Sequence, residues 1–117
     1  MTRETIERYF ELVKRRGDWP SLFAETATFS SFASPPRQIV GRDTLVKATS
    51  GFYAMIRSVE VRDLIVDGER ACALTHYRLE PPNGRPAFES DVAEVFTVRG
   101  GAIESFGIYF DTAPYPK

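Results

Sequence analysis

The chain has 117 residues, enough for one hydrophobic core and too few for two independent domains, so a single domain over residues 1–117 is expected. A hydrophobic content of 43%, with 13% aromatics, excludes a disordered chain. Fifteen basic against sixteen acidic residues leave a net charge of −1, which argues against nucleic acid as a partner, and no apolar run approaches the roughly 20 residues of a membrane span.

In chain order, Ile6, Tyr9, Phe10 and Val13 recur at i, i+3, i+4 and i+7, with Glu4, Glu7, Arg8, Glu11 and Lys14 on the other side, which predicts an amphipathic first helix. Thr2 is placed to cap its start and Gly17 its end. The basic cluster KRRGD from Lys14 falls at that end, where cations oppose the negative pole of the macrodipole. The opening MTRETIERYF has no signal-peptide apolar region, so a cytoplasmic protein is expected. Asp18 then heads a short second helix through WPSLFAE, with Pro20 in its first turn, where a missing N–H costs nothing. TATFSSF reads as a short strand and ASPPRQIVGR as a loop. Leu45, Ala48, Thr49, Phe52 and Ile56 then repeat the helical spacing in a third helix.

Beyond Arg57 the period changes to two. Strands are expected from Val59 to Val66, Arg70 to Leu79, Phe88 to Val98 and Ala102 to Asp111. The segments DG, PPNGRP and RGG between them are turn chemistry, so these strands should pair antiparallel in sequence order. Helices followed by a meander give an α+β domain in which helices cover one face of a curved, mainly antiparallel sheet. Gly100, Gly101 and Gly107 are places where bulges or bends could form.

The polar residues that interrupt the apolar pattern are the candidates for chemistry. Glu94 shares a strand face with Val92 and Phe96, where an ionised carboxylate would pay a desolvation penalty that raises its pKa. Cys72, Leu74, His76 and Arg78 share one face of the preceding strand. A tight turn at Asn83-Gly84 would set His76 opposite Asp91, whereas a longer or bulged turn moves it toward Glu94's face; Pro82 and Pro86 favour the longer loop, and so His76 and Glu94 on one face. Tyr9 lies on the core side of the first helix and Tyr53 beside the apolar stripe of the third, each a phenol able to stabilise a developing oxyanion. Asp111 ends the last strand, three residues before Pro114, either as a turn residue or as a proton carrier at the mouth of a pocket. By strand parity Phe106, Ile108 and Phe110 face the other way from Asp111, so the catalytic role requires a bulge near Gly107 or a twist at the strand end. Such a pocket would be lined by Phe52 and Tyr53, by Leu74 and Arg78 beside His76, by Val92 and Phe96 beside Glu94, and by Phe106, Ile108 and Phe110. Cys72 and His76 are each alone of their kind, which gives a disulfide within the chain no partner, makes Cys72 a small core residue rather than a nucleophile, and leaves a metal centre too few ligands.

The run IERYFELVKRRGDWPSLFAETATFSSF, the helix start GRDTL, and the closing strands DVAEVFTVRGGAIESFGIYFDTAPYP together resemble the SnoaL-like branch of the nuclear transport factor 2-like superfamily. The resemblance covers nearly the whole chain, and its most telling pieces are GDWPSLFAETATF and EVFTVRGGAIESFGIYFD. It implies a cone of helices and curved sheet around an apolar pocket, commonly paired as a dimer through the sheet. The superfamily includes polyketide cyclases, ketosteroid isomerase, limonene epoxide hydrolase and scytalone dehydratase. By that resemblance Asp111 falls where the cyclases have their acid/base aspartate, Tyr9 resembles the first-helix tyrosine of the isomerase's oxyanion hole, and Glu94 falls where that enzyme has its protonated carboxylic acid. The isomerase's base would lie where this chain has Ser30 and Ser31, the epoxide hydrolase's Asp-Arg-Asp set has no counterpart, and the dehydratase's paired histidines cannot exist with one His.

Two functional expectations follow. In the first the protein is an enzyme that needs no cofactor or metal: Asp111 or His76 removes a proton alpha to the carbonyl of a small apolar compound, and Tyr9 with protonated Glu94 stabilises the enolate before isomerisation, cyclisation or elimination. In the second the same pocket is a passive ligand carrier or a dimerisation module. Either way a homodimer through the sheet is expected, because the strand from Ala71 to Leu79 carries apolar residues on both faces.

Overall fold

The spacing of Ile6, Tyr9, Phe10 and Val13 produces α1, Thr2–Lys14, in the computed structural model, which describes residues 1–33 and 35–115. Ser34, in the expected loop, and Pro116 and Lys117, in the closing segment, lie outside the described residues. All four spaced residues are buried, as is Leu12. Thr2 does not cap the helix: its hydroxyl donates to the Gly68 carbonyl at 2.8 Å, which ties the helix start to a distant turn. At the other end the left-handed residue is Arg16 (φ 54) rather than Gly17. Gly17 N–H donates to Leu12 O at 2.7 Å and Arg16 N–H to Val13 O at 3.2 Å, the paired bonds that satisfy the last carbonyls of a helix.

The expected second helix contracts to a single 3-10 turn, Trp19–Leu22, because Phe23 is already extended and opens β1, Phe23–Ser31. Within the expected loop, Arg37–Val40 forms an edge strand, β2, paired antiparallel with β1. Ile39 alone of its residues is half-buried, so alternation offered little to recognise. Helix α2 spans Arg42–Met55, and Ile56, expected inside it, instead opens β3, Ile56–Asp67. Strands β4, Arg70–Leu79, β5, Phe88–Arg99, and β6, Ala102–Phe110, complete the regular elements among the described residues.

The six strands form one sheet in the order β2-β1-β6-β5-β4-β3. The last four pair antiparallel in sequence, as the turn chemistry implies, and β1 joins β6 in parallel. Register irregularities in β1 and at two places in β3 bend the sheet. No register shift occurs at Gly107; the irregularity between β5 and β6 lies at Thr97 and Val98. α1 packs against β3, β4 and β5, and α2 against β1 and β2. Between helices and sheet sits an aromatic core in which Tyr9 meets Phe10, Trp19, Phe23, Phe96 and Phe106, and Phe96 stacks on Phe106 with centroids 4.9 Å apart. Among the described residues no helix is long and apolar enough to cross a membrane.

One register matters for the site. His76 stands opposite Asp91, and Leu79 opposite Phe88, a ladder centred on Asn83 and Gly84. Both turn residues take positive φ, 67 and 72, so the hairpin is symmetric and inserts no extra residue. The prolines open the ladder without shifting it, which corrects the expectation that His76 shares a face with Glu94.

Candidate functional site

Residues of even number in β5 and odd number in β4 face α1 and α2, and they build a cavity of about 260 Å³ against α2. Its walls are aromatic: Phe29 of β1, Phe52 and Tyr53 of α2, Tyr77 of β4, Phe106 and Phe110 of β6, and Tyr115. Met55, Ala48, Val92 and Ile108 complete the apolar surface, and the polar groups are Ser31, Arg37, Thr49 and Glu94.

Glu94 is 2% exposed, set between Val92 and Phe96 on the inner face of β5. Both of its protein hydrogen bonds reach one oxygen: Tyr77 Oη donates to Oε2 at 2.7 Å, and Thr75 Oγ1 lies 2.7 Å from the same atom. Thr75 Oγ1 is also 3.0 Å from the carbonyl oxygen of Val92. A hydroxyl has one hydrogen, so it cannot serve an ionised carboxylate and a carbonyl together. With a proton on Oε2, Glu94 donates to Thr75, which passes its own hydrogen to Val92, and every contact is filled. Burial pushes the Glu94 pKa up to about 7, against the lowering effect of the Tyr77 and Thr75 hydrogen bonds. No described buried side-chain polar atom lacks a partner, and no described hydrogen bond reaches Oε1, so Oε1 is the oxygen open to the cavity.

The two tyrosines form a relay toward the same space. Tyr53 lines the cavity, its hydroxyl is paired with that of Tyr9, and its ring stacks on Trp19 at 3.9 Å. Tyr9 is fully buried and does not itself line the cavity. Burial is the main force raising both phenol pKa values, so both stay neutral donors.

The other residues singled out in the sequence fall elsewhere. His76 lies on the outer face of the sheet, its Nδ1 2.7 Å from Asp91 and its Nε2 2.7 Å from Glu89, and these two hydrogen bonds raise its pKa. Leu74 and Arg78 share that outer face and do not line the cavity, because the tight register turns even-numbered β4 residues outward. Cys72, on the same face, is half-buried rather than a core residue, and burial raises its thiol pKa. Asp111 is exposed and outside the cavity; its Oδ1 accepts the Ala113 N–H at 3.0 Å, the local turn bond, and β6 has no bulge at Gly107 that could turn it inward. Phe96 lies beneath the cavity floor in the aromatic core. Tyr53, Phe52, Val92, Glu94, Phe106, Ile108 and Phe110 do line it. Tyr77 is legible by parity with Thr75 once the register is known, whereas Arg37 carries no signal, because the alternation that would mark β2 is missing from its four residues. Among the described residues no group of three or more His, Cys, Asp or Glu is placed to hold a metal ion.

A SnoaL-like domain family model matches residues 6–106. No curated protein matches the sequence. A crystal structure from Kribbella flavida superposes with a TM-score of 0.81 at 21% identity, covering 96% of this chain and 88% of that one. A hypothetical protein with a ketosteroid isomerase-like fold from Catenulispora acidiphila, in complex with trimethylamine, gives 0.79 at 19% identity over 97% and 90% of the two chains. A candidate SnoaL-like polyketide cyclase from Jannaschia sp. gives 0.79 at 15% identity over 99% and 93%. Likeness at these identities speaks for the fold.

Proposed function

Because the chain belongs to the SnoaL-like domain family, we propose that its cavity takes a small, largely apolar carbonyl compound and that Glu94 moves a proton on it without a cofactor. The observation that carries this reading is the setting of Glu94: one oxygen held by Tyr77 and Thr75, the other open to an aromatic cavity, and a pKa raised to about 7. A carboxyl group titrating near neutrality serves as base in one half-reaction and as acid in the other. Ionised Glu94 takes the proton alpha to the carbonyl, the carbonyl becomes an enolate oxygen, and the proton returns to carbon or leaves with a group eliminated. Tyr53 is the donor for the enolate, with Tyr9 donating to Tyr53 from behind so that the Tyr53 hydrogen faces the ligand.

The test is exchange of alpha protons in deuterated water, followed by proton NMR over a panel of small cyclic and aryl ketones. Wild type should exchange at least one of them, with a rate that rises through a midpoint near the Glu94 pKa, and Glu94→Gln should bind the same ketone without exchanging it. Equal exchange by both proteins would remove Glu94 from the reaction. A passive carrier is the second reading, favoured by the absence of any other carboxylate or histidine among the described cavity-lining residues. It predicts binding with no exchange at any pH.

We also infer that two copies pair through the outer face of the sheet. Leu74, Ala93 and Tyr109 stand in one row across β4, β5 and β6, and Phe32 stacks on Tyr109 at 4.4 Å. Leu74 is 41% exposed, Phe32 51% and Tyr109 51%, an apolar band that a second copy would cover. Charges of both signs beside it, Arg62 and Arg78 against Glu89 and Asp91, suit a two-fold, self-complementary contact. Sedimentation equilibrium at micromolar concentration should give a dimer, and Tyr109→Glu a monomer; a wild-type monomer would refute the pairing.

A further inference from the structure

The cavity has a charge at each end, and only the inner one takes part in the chemistry above. Arg37 lines the cavity from the edge strand β2, is exposed, and has no carboxylate within ion-pair distance among the described residues. Ser31, its register partner on β1, also lines the cavity and places a hydroxyl beside it. Three strand spacings separate β2 from β5, so the backbones of Arg37 and Glu94 are about 14 Å apart measured across the sheet. The wall between them is aromatic. An exposed guanidinium at the rim of an apolar cavity, with no carboxylate partner among the described residues, is a poor neighbour for a cationic ligand and a ready partner for a carboxylate, which it can hold through two parallel N–H bonds.

Building on the pocket reading above, we propose that the substrate class is a small aryl or alicyclic acid with a carbonyl group several bonds from its carboxylate. The carboxylate is held by Arg37 and Ser31 at the mouth, the ring lies against Phe29, Phe52 and Phe106, and the carbonyl end reaches Glu94 and Tyr53 at depth. Charge at the rim then fixes orientation: the end carrying the acid stays outside, and the carbon to be deprotonated is carried inward.

Trp19 is the one tryptophan of the chain and stacks on Tyr53, a cavity wall, so its fluorescence reports occupancy. The probes are 4-acetylbenzoate and its methyl ester, which share the ring and the enolisable ketone, carry the ring between carboxyl group and ketone, and differ in charge. Wild type at neutral pH should bind the acid about fivefold more tightly than the ester, the scale of a part-exposed ion pair, and the preference should shrink as salt is raised. Arg37→Gln should erase the preference, and Arg37→Lys should keep part of it. Circular dichroism checks that the edge strand still folds in both variants. Equal binding of acid and ester by wild type, or an acid preference that survives Arg37→Gln, overturns the assignment of Arg37 while the pocket stands. No fluorescence response to either probe overturns the pocket reading as well.

Discussion

Thr75 and Tyr77 both contact Glu94 Oε2 at 2.7 Å, but only Thr75 must divide its single hydrogen, because Val92 O lies 3.0 Å from the same hydroxyl. Tyr77 has no competing acceptor among the described hydrogen bonds, so it is the firmer donor to an ionised Glu94. Tyr77→Phe should therefore raise the Glu94 pKa further, and Thr75→Val should raise it less. Carbon-13 NMR of the labelled Glu94 carboxyl against pH measures both. A larger shift from Thr75→Val would mean that Thr75 donates to Glu94 in the wild type.

The pH dependence of stability has a definite sign at this residue. The folded chain keeps the Glu94 proton up to about pH 7, whereas the ordinary value is 4.5, so between these values the folded state holds more protons than the unfolded one. The contribution of Glu94 is thus fully present below 4.5 and is lost as pH rises through about 7, on the order of 3 kcal/mol in all. Glu60, Glu89 and Asp91, whose pKa values are lowered, act in the opposite sense. Urea denaturation of wild type and Glu94→Gln at several pH values isolates the Glu94 part: the difference between the two proteins should favour wild type progressively less from acid to neutral pH. A difference that does not vary with pH would show that Glu94 titrates normally.

Asp111→Asn should change neither stability nor ligand binding, since an amide oxygen can still accept the Ala113 N–H. Thermal melts and the fluorescence assay check this; loss of alpha-proton exchange with folding intact would restore Asp111 to the chemistry.

His76→Gln should leave affinity for cavity ligands unchanged, because the ring sits between Glu89 and Asp91 on the outer face of the sheet. Its raised pKa means that its stabilising contribution is present below the ordinary value of 6.5 and is lost as pH rises through the folded value. The small stability cost of the substitution should accordingly be seen at acid pH and fade in alkaline solution. A matching loss of ligand affinity would refute this placement.

Phe96→Ala should cost about 3–5 kcal/mol, as Phe96 is fully buried, stacks on Phe106 and meets Tyr9 and Phe10 edge-on. The urea midpoint measures it, and a loss under 1 kcal/mol would mean that the neighbouring rings collapse into the space.

The sequence by itself determined the α+β class, the first helix with its buried stripe, the four closing strands, and Glu94 among apolar neighbours. These are local properties: periods of 3.6 and 2, turn residues that require positive φ, and a carboxylate in the wrong company. It determined less well the elements whose signal comes from elsewhere. The short edge strand β2 is set by its pairing with β1, in which Ile39 stands opposite Phe29, a partner that lies outside its own segment. Tertiary structure alone decided the site. A shift of one residue in the β4–β5 ladder exchanges the two faces, and with them His76, Leu74 and Arg78 for Tyr77 and Thr75, because side chains alternate with a period of two. Pro82 and Pro86 left that register open in the sequence, and the paired left-handed conformations of Asn83 and Gly84 closed it. The same alternation, with no bulge at Gly107, left Asp111 at the surface and Glu94 as the acid of the cavity.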